Sequence, residues 1–374
     1  MHFKMDEYVY IDGKPYRRGY TTGSCATAAA KAAATILLTK ELISTISIDT
    51  PKGIPLTLKV EDAQLEGDRA SCAIRKDGGD DKDATHGTLI YASVQMREGE
   101  AICIKGGKGV GIITKPGLGV GVGEAAINKV PREMIQREVR SVIGKRGMEV
   151  TIEVPEGESI AKKTFNPRLG IIGGISIIGT SGIVEPMSEE GWKRSLSLEL
   201  EMKKAVGLKK IVLVGGNHGE RFALEVLGLN PQYVVRTSNF VGYMLLEAKR
   251  LGYEKILMLG HLGKFIKVAG GIFHTHSKVA DARAEILTTH LALMGAPYEL
   301  FKKVYHCATT EEAIEFIKEA GYSELFYHLA NRCKERCLMH LQEEEVTLEV
   351  LLFSLQGERL GVSSGFNQLM EEFK

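Results

Sequence analysis

The stretch Asn166–Met187, NPRLGIIGGISIIGTSGIVEPM, decides how the rest of the chain is read. It holds an uncharged run from Leu169 to Val184 broken by five glycines, Gly170, Gly173, Gly174, Gly179 and Gly182. Glycine weakens a helix and frees the backbone for tight turns, so the run predicts a buried strand with turns. It is also shorter than the roughly 20 apolar residues of a membrane span. Before it, short strands and glycine loops dominate; after it, strands alternate with long amphipathic helices. The expected fold class is an α+β N-terminal domain over residues 1–165, followed by an α/β domain with a mostly parallel sheet over residues 166–374.

Length supports the same division, since 374 residues exceed what one hydrophobic core usually serves. A chain 44% hydrophobic and 25% charged has ordinary globular composition, and its 42 glycines point to many backbone-lined loops. A formal charge of +1 gives no electrostatic reason to expect nucleic acid or an anionic membrane as partner. The opening residues lack the apolar core of a secretory signal, so a cytoplasmic location is expected. Six scattered cysteines read as reduced thiols. The oligomeric state is left open, a homo-oligomer included.

In the first half, RRGYTTGSCATAAAKAAATILLT (Arg17–Thr39) predicts an alanine-rich helix preceded by the N-cap types Thr21, Thr22 and Ser24. With Arg17 and Arg18 beside it, that helix start suits a carboxylate or phosphate, and a plain N-cap is the competing reading. KDGGDDKDATHG (Lys76–Gly87) gathers Asp77, Asp80, Asp81, Asp83 and His86, which suits Mg²⁺, an acid/base pair or a solvated turn. GGKGVGIITKPGLGVGVG (Gly106–Gly123) offers close backbone approach with Lys108 and Lys115 as counter-charges, without the order of a P-loop.

In the second half, a strand at Lys209–Val214 runs into GGNHGE (Gly215–Glu220) and a helix, the order of a dinucleotide or S-adenosylmethionine (SAM) loop or of a plain βα turn. No acidic residue ends the next strand, Tyr233–Arg236, where a ribose is usually held. The strand Lys255–Leu259 leads into GHLGKFIKVAGGIFHTHSKVAD (Gly260–Asp281), dense in His261, Lys264, Lys267, His274 and His276. Anion binding or acid/base work suits this cluster better than a metal, because spacing fixes no third ligand. Cys333, Cys337 and His340 share a helical face, and the cysteines read as core.

Six segments together resemble the cobalt-precorrin-5B C1-methyltransferases, the CbiD family: GYTTGSCA at Gly19–Ala26, GGDDKDATHG at Gly78–Gly87, TKPGLG at Thr114–Gly119, the Asn166–Met187 stretch, SNFVGY at Ser238–Tyr243 and GHLGKFIKVAGG at Gly260–Gly271. The resemblance implies methyl transfer from SAM to carbon 1 of a cobalt-bearing tetrapyrrole, giving cobalt-precorrin-6A on the anaerobic route to cobalamin. It also implies an N-terminal domain like the second domain of ribosomal protein S5. Cobalt then arrives inside the corrinoid substrate, and no protein-held metal is expected.

For that chemistry the expected cofactor-binding residues are the glycine turns at Gly173, Gly174, Gly179 and Gly182 and at Gly215, Gly216, Asn217 and Gly219. The substrate's carboxylates are expected on Arg17, Arg18, Thr21, Thr22, Ser24, Lys115, Arg168, Lys264, Lys267 and His276, and proton handling on Asp83, His86 and His261. Two other functions remain compatible with the residues: a small-molecule kinase with an S5-like half, and a carrier that sequesters a tetrapyrrole.

Overall fold

A computed structural model describes residues 8–342 and 345–374. They form two compact units, Met1–Glu189 and Glu190–Lys374.

The first unit is built on a sheet whose strands lie in the order Glu61–Glu66, Arg69–Arg75, Leu89–Arg97, Gly147–Glu153 and Ile102–Gly106. Neighbours are antiparallel except the last pair, which is parallel and joined through the helix Lys129–Ile143. The alanine-rich helix, Thr22–Thr39, packs on the strands Arg69–Arg75 and Leu89–Arg97 and against Lys129–Ile143. Alanine is the best helix former, and its short side chain lets the helix be enclosed on all sides, as Ala26, Ala28–Ala30 and Ala32–Ala34 are. Alternating Ile90, Ala92 and Val94 and Met148, Val150 and Ile152 supply the opposing sheet face.

The Asn166–Met187 stretch is not one strand. It forms three two-residue strands: Ile171–Ile172 pairs with Ile112–Ile113, Gly174–Ile175 with Gly109–Val110, and Ile183–Val184 with Gly19–Tyr20. Left-handed backbone at Gly173 and Gly182 turns the chain before any strand can lengthen. All three pairings lie in the first unit, so its limit falls at Glu189, later than the boundary expected at residue 165.

The second unit holds a sheet in the order Val234–Arg236, Lys210–Val214, Lys255–His261, Thr347–Phe353 and Arg359–Val362. The first four strands are parallel and the last is antiparallel, in line with a mostly parallel sheet. Alternate residues point to opposite faces, and both faces are covered. Ile211, Leu213, Ile256 and Met258 meet one set of helices, while Val212, Val214, Leu257 and Leu259 meet Phe222, Phe366 and Phe373. Cys333 and Cys337 are fully buried in the first of these cores, and none of the six cysteines is in a disulfide. Among the described residues no helix is long and apolar enough to cross a membrane.

Close packing in the first unit sets up a pair of contrasting substitutions. A Cβ on Gly174 would stand 2.1 Å from the Gly109 carbonyl oxygen, whereas one on Gly173 meets nothing within 4 Å. Gly174→Ala is expected to lower stability by about 3 kcal/mol through overpacking. Gly173→Ala carries only the left-handed backbone penalty, about 1 kcal/mol. Urea unfolding of the two variants measures the difference.

Candidate functional site

Within the second unit the strand order reverses between Lys210–Val214 and Lys255–His261, because the chain adds Val234–Arg236 on one side and Thr347–Phe353 on the other. Parallel strands deliver their C-terminal loops to one edge, and in open α/β sheets ligands bind where the order reverses. Three loops emerge there: Gly215–Gly219, Thr237–Phe240 and the turn into the helix Leu262–Ala269. Gly216 has φ 93° and open space where a Cβ would be, so the backbone is accessible at that turn. Gly219 instead packs on Val214, with Asn217 and His218 exposed around it. Glu220 forms an ion pair with Arg236, the residue ending the strand that lacks a ribose-holding acid.

His261 caps the helix Leu262–Ala269 in extended backbone conformation. Its Nε2 lies 3.0 Å from Glu311 Oε1, and the other Glu311 oxygen accepts the Leu355 N–H at 3.1 Å. A carboxylate fixes the proton on the nitrogen facing it, so the neutral ring carries its lone pair on Nδ1. Burial pushes the imidazole pKa down, the Glu311 contact opposes this, and His218 and Lys264 add to the lowering; the net shift is downward. Neutral imidazole at neutral pH is the form a proton acceptor requires. Gly263 makes room for the ring, since a Cβ there would sit 2.7 Å from His261 Cε1.

Lys264 and Lys267 project from the same helix. Lys264 Nζ donates to Asn239 Oδ1 at 2.9 Å, and Lys267 Nζ to the Thr275 carbonyl at 3.2 Å. His276 accepts the Lys278 N–H on Nδ1, and its ring centre is 6.4 Å from that of His274. Among the described residues, no three His, Cys, Asp or Glu side chains gather as a metal site.

In the first unit the acidic loop folds against the start of the chain. The Arg17 guanidinium is held bidentately by Asp77 at 2.6 and 2.8 Å, and Asp80 accepts the Arg17 N–H. His86 Nδ1 accepts the Gly78 N–H at 3.1 Å. Arg17, Tyr20, Lys76, Asp77 and His86 line a cavity of about 330 Å³. A larger concavity of about 880 Å³, along the helix Lys129–Ile143, contains none of the expected site residues. Two arginines on its wall, Arg137 and Arg140, donate to backbone carbonyls, so the smaller cavity is the chemically richer one.

Several expected roles meet structural partners instead. Asp83 pairs at 2.7 Å with Lys76, which is 1% exposed, and also accepts from the Thr85 amide and hydroxyl. Burial raises the Asp83 pKa, but the Lys76 charge and these hydrogen bonds outweigh it and hold the carboxyl below its ordinary value. Such a carboxylate is a partly buried counter-ion to Lys76, and a carboxyl of lowered pKa is a weak base. Ser24 Oγ donates to the Gly182 carbonyl, Thr22 Oγ1 takes the Ile178 N–H, and Thr21 Oγ1 caps Ser24, so these hydroxyls are engaged by the chain. A Cβ on Gly174, Gly179 or Gly182 would fall within 3 Å of Gly109, Thr21 or Thr50, so the backbone packs closely on the chain at these glycines. Arg18 stands 3.7 Å from Glu185, while Lys115 is exposed with its stem against Gly170, two residues beyond half-buried Arg168.

Glu311, Asn239, Thr275 and Lys76 belong to these constellations and escape sequence reasoning. Glu311 looks like first-turn acid on a helix, Asn239 like a cap and Lys76 like a loop cation. Only the signature SNFVGY draws attention to Asn239.

A mostly parallel sheet whose strand order reverses, together with a glycine-laced unit built on a largely antiparallel sheet, defines a two-unit chain of mixed α/β class. The family model described as CbiD matches residues 9–186, and that described as the CbiD C-terminal domain matches residues 274–364. A protein of Clostridioides difficile named cobalt-precorrin-5B C(1)-methyltransferase is 53% identical, covering 99% of this chain and 100% of that one. Proteins of the same name are 54% identical in Citrobacter koseri, over 99% of this chain and 98% of the relative, and 55% in Klebsiella pneumoniae, over 96% and 95%. A crystal structure of cobalamin biosynthesis protein (cbiD) from Archaeoglobus fulgidus aligns at 24% identity, with TM-score 0.38, over 84% of this chain and 88% of that chain. The chain belongs to the CbiD family.

The site yields tests of two side chains. Asp83→Ala strands Lys76 in the interior and is expected to cost about 3–5 kcal/mol in chemical unfolding. In the unaltered protein the Asp83 contribution is complete above the unfolded carboxyl's pKa of about 3.9 and is lost as pH falls through the lower folded value. For His261, Glu311→Gln removes the charge that opposes burial, so the imidazole midpoint moves further down. Proton NMR of the ring against pH reads the direction, and an upward movement contradicts the assignment.

Proposed function

We propose that this chain transfers a methyl group from SAM to carbon 1 of cobalt-precorrin-5B, giving cobalt-precorrin-6A in anaerobic cobalamin biosynthesis, in the cytoplasm. The carrying observation is the likeness, along nearly all of both chains, to proteins named cobalt-precorrin-5B C(1)-methyltransferase. The relatives bear a methyltransferase name, which speaks for methyl transfer over the kinase and carrier readings.

The glycine turn at Gly215, Gly216, Asn217 and Gly219 is the proposed SAM contact. It follows a parallel strand beside the reversal of strand order, and Gly216 leaves its backbone open to a ligand. SAM supplies a sulfonium methyl: the S–CH₃ bond breaks as the carbon–carbon bond to the macrocycle forms, and the electron pair returns to sulfur. With so good a leaving group, the residues' main task is alignment, about 3–3.5 Å between reacting atoms. A single mild acceptor then suffices for a proton released from the macrocycle. His261 Nδ1 is proposed for that role, with Glu311 as its positioning residue. His86, half-exposed in the first unit's polar cavity, remains a proposed proton-handling group.

The substrate's acetates and propionates need cations, for which Arg17, Arg18, Lys115 and Arg168 are the proposed set in the first unit. Arg17 and Arg18 already face Asp77 and Glu185, so a substrate carboxylate there would share or exchange those partners. The largely antiparallel sheet with two helices packed beside it supports proposing the ribosomal protein S5 domain 2 fold for this unit.

Incubation with SAM and cobalt-precorrin-5B is expected to give S-adenosylhomocysteine and a macrocycle one methyl group heavier by mass spectrometry. His261→Ala is expected to lower the single-turnover rate about 10²-fold while SAM affinity holds. An unchanged rate removes His261 from proton transfer without touching the methyl-transfer reading.

A further inference from the structure

The helix Leu262–Ala269 carries one buried and one half-buried lysine, and neither meets a carboxylate within 4 Å among the described residues. Lys267 is 3% exposed, and its ammonium donates to the Thr275 carbonyl at 3.2 Å. Lys264, one turn earlier and half-buried, has the Asn239 amide oxygen at 2.9 Å. Neither lysine has an ion pair within 4 Å among the described residues. The acid that acts electrostatically on Lys267, Asp281, is itself held by Arg283 at 2.7 Å.

The acceptors of the two ammonium groups belong to paired segments. Asn239 and Thr275 are backbone neighbours, since the Thr275 N–H donates to the Asn239 carbonyl at 2.9 Å and Phe240 bridges His274. Lysines three apart on a helix also lie on one face. At the same place Thr275 is 3% exposed, and its hydroxyl oxygen is buried with no hydrogen-bond partner. Buried hydroxyls are normally satisfied, and buried charges are normally paired, because desolvation otherwise costs several kcal/mol. Neutral amide oxygens cannot replace a counter-charge.

We propose that Lys264, Lys267 and the Thr275 hydroxyl form a seat for one carboxylate of a bound ligand, which supplies the negative charge that the protein lacks there. The ligand enters over Lys264, the more exposed cation, and Lys267 lies deeper. Burial lowers the pKa of both lysines; Lys267 lowers Lys264 further, while Asp281 partly offsets the effect on Lys267. This rests on the methyl-transfer reading, in which both ligands carry carboxylates: one on the amino-acid end of the methyl donor and several on the macrocycle rim. A purely structural pair of lysines, tying the Asn239–Thr275 ladder to the helix, is the competing account.

Titration calorimetry on the full chain separates these accounts. The probes are S-adenosylhomocysteine and its decarboxylated analogue, and cobyrinic acid and its heptamethyl ester. The variants are Lys267→Met, which keeps the stem's volume, and Lys264→Gln, which keeps a polar tip. Each variant is expected to weaken one carboxylate-bearing probe at least about tenfold, with little effect on its carboxylate-free counterpart. Loss on S-adenosylhomocysteine makes the methyl donor the source; loss on cobyrinic acid makes it the macrocycle. In thermal unfolding without ligand, Lys267→Met is expected to match or exceed the unaltered protein, because an uncompensated buried charge has been removed. A fall in Tm with unchanged affinity for both acids in both variants overturns the seat and establishes the structural account. Failure of the unaltered chain to bind either acid overturns the methyl-transfer reading, and the seat with it.

Discussion

Backbone segments that approach too closely for a Cβ are the constraint on which the first unit depends. Gly19 lies on the Asp77–Gly79 backbone, and Gly79 on that of Arg17–Gly19, with a Cβ at either position reaching within 2.4 Å of its neighbour. That contact brings the loop carrying Asp77 to the start of the alanine helix and makes the Arg17–Asp77 ion pair geometrically available. Gly109 meets Val154, Gly157 and Gly174 in the same manner, which fastens the Asn166–Met187 stretch to the sheet. Side-chain packing then fills what the backbone contacts define, with alanines where the helix must be enclosed.

Charge is handled in opposite ways in the two units. In the first, the buried Lys76 has its own carboxylate in Asp83, and the Arg17 guanidinium is met by Asp77. Such pairs hold loops in place. In the second, Lys264 and Lys267 face only neutral oxygens. Removing a partner from a buried ion is expensive, so an ion kept without one must draw compensation from elsewhere. The difference separates charges paired within the chain from charges without a carboxylate at hand, and residue type alone does not distinguish them.

That distinction explains which parts were legible in the sequence. The strand that begins at Lys255 and the alanine helix follow from periodicity and propensity, which are local. The parallel sheet follows from strands alternating with helices. Asn166–Met187 misled because its partners, Gly19–Tyr20, Gly109–Val110 and Ile112–Ile113, lie far away in the chain, and its glycines serve those pairings as much as any ligand. The Asp83–Lys76 pair was not legible because Lys76 is an unremarkable loop cation until it is buried. The partner of His261 was hidden for the same reason: Glu311 is 50 residues away and reads as an ordinary helix-starting acid.

The His261–Glu311 contact also limits how much chemistry the site must perform. A carboxylate beside an imidazole raises its basicity, whereas burial lowers it, and here burial prevails. The product is a modest acceptor with a fixed tautomer, too weak to remove a proton from an unactivated carbon. A macrocycle that supplies its own electrons to a sulfonium methyl needs nothing stronger, because the proton leaves after the new bond has made it acidic. In the proposed reaction placement therefore carries more of the catalytic burden than proton affinity, and the open turn at Gly216 and the fixed ring of His261 suit that demand.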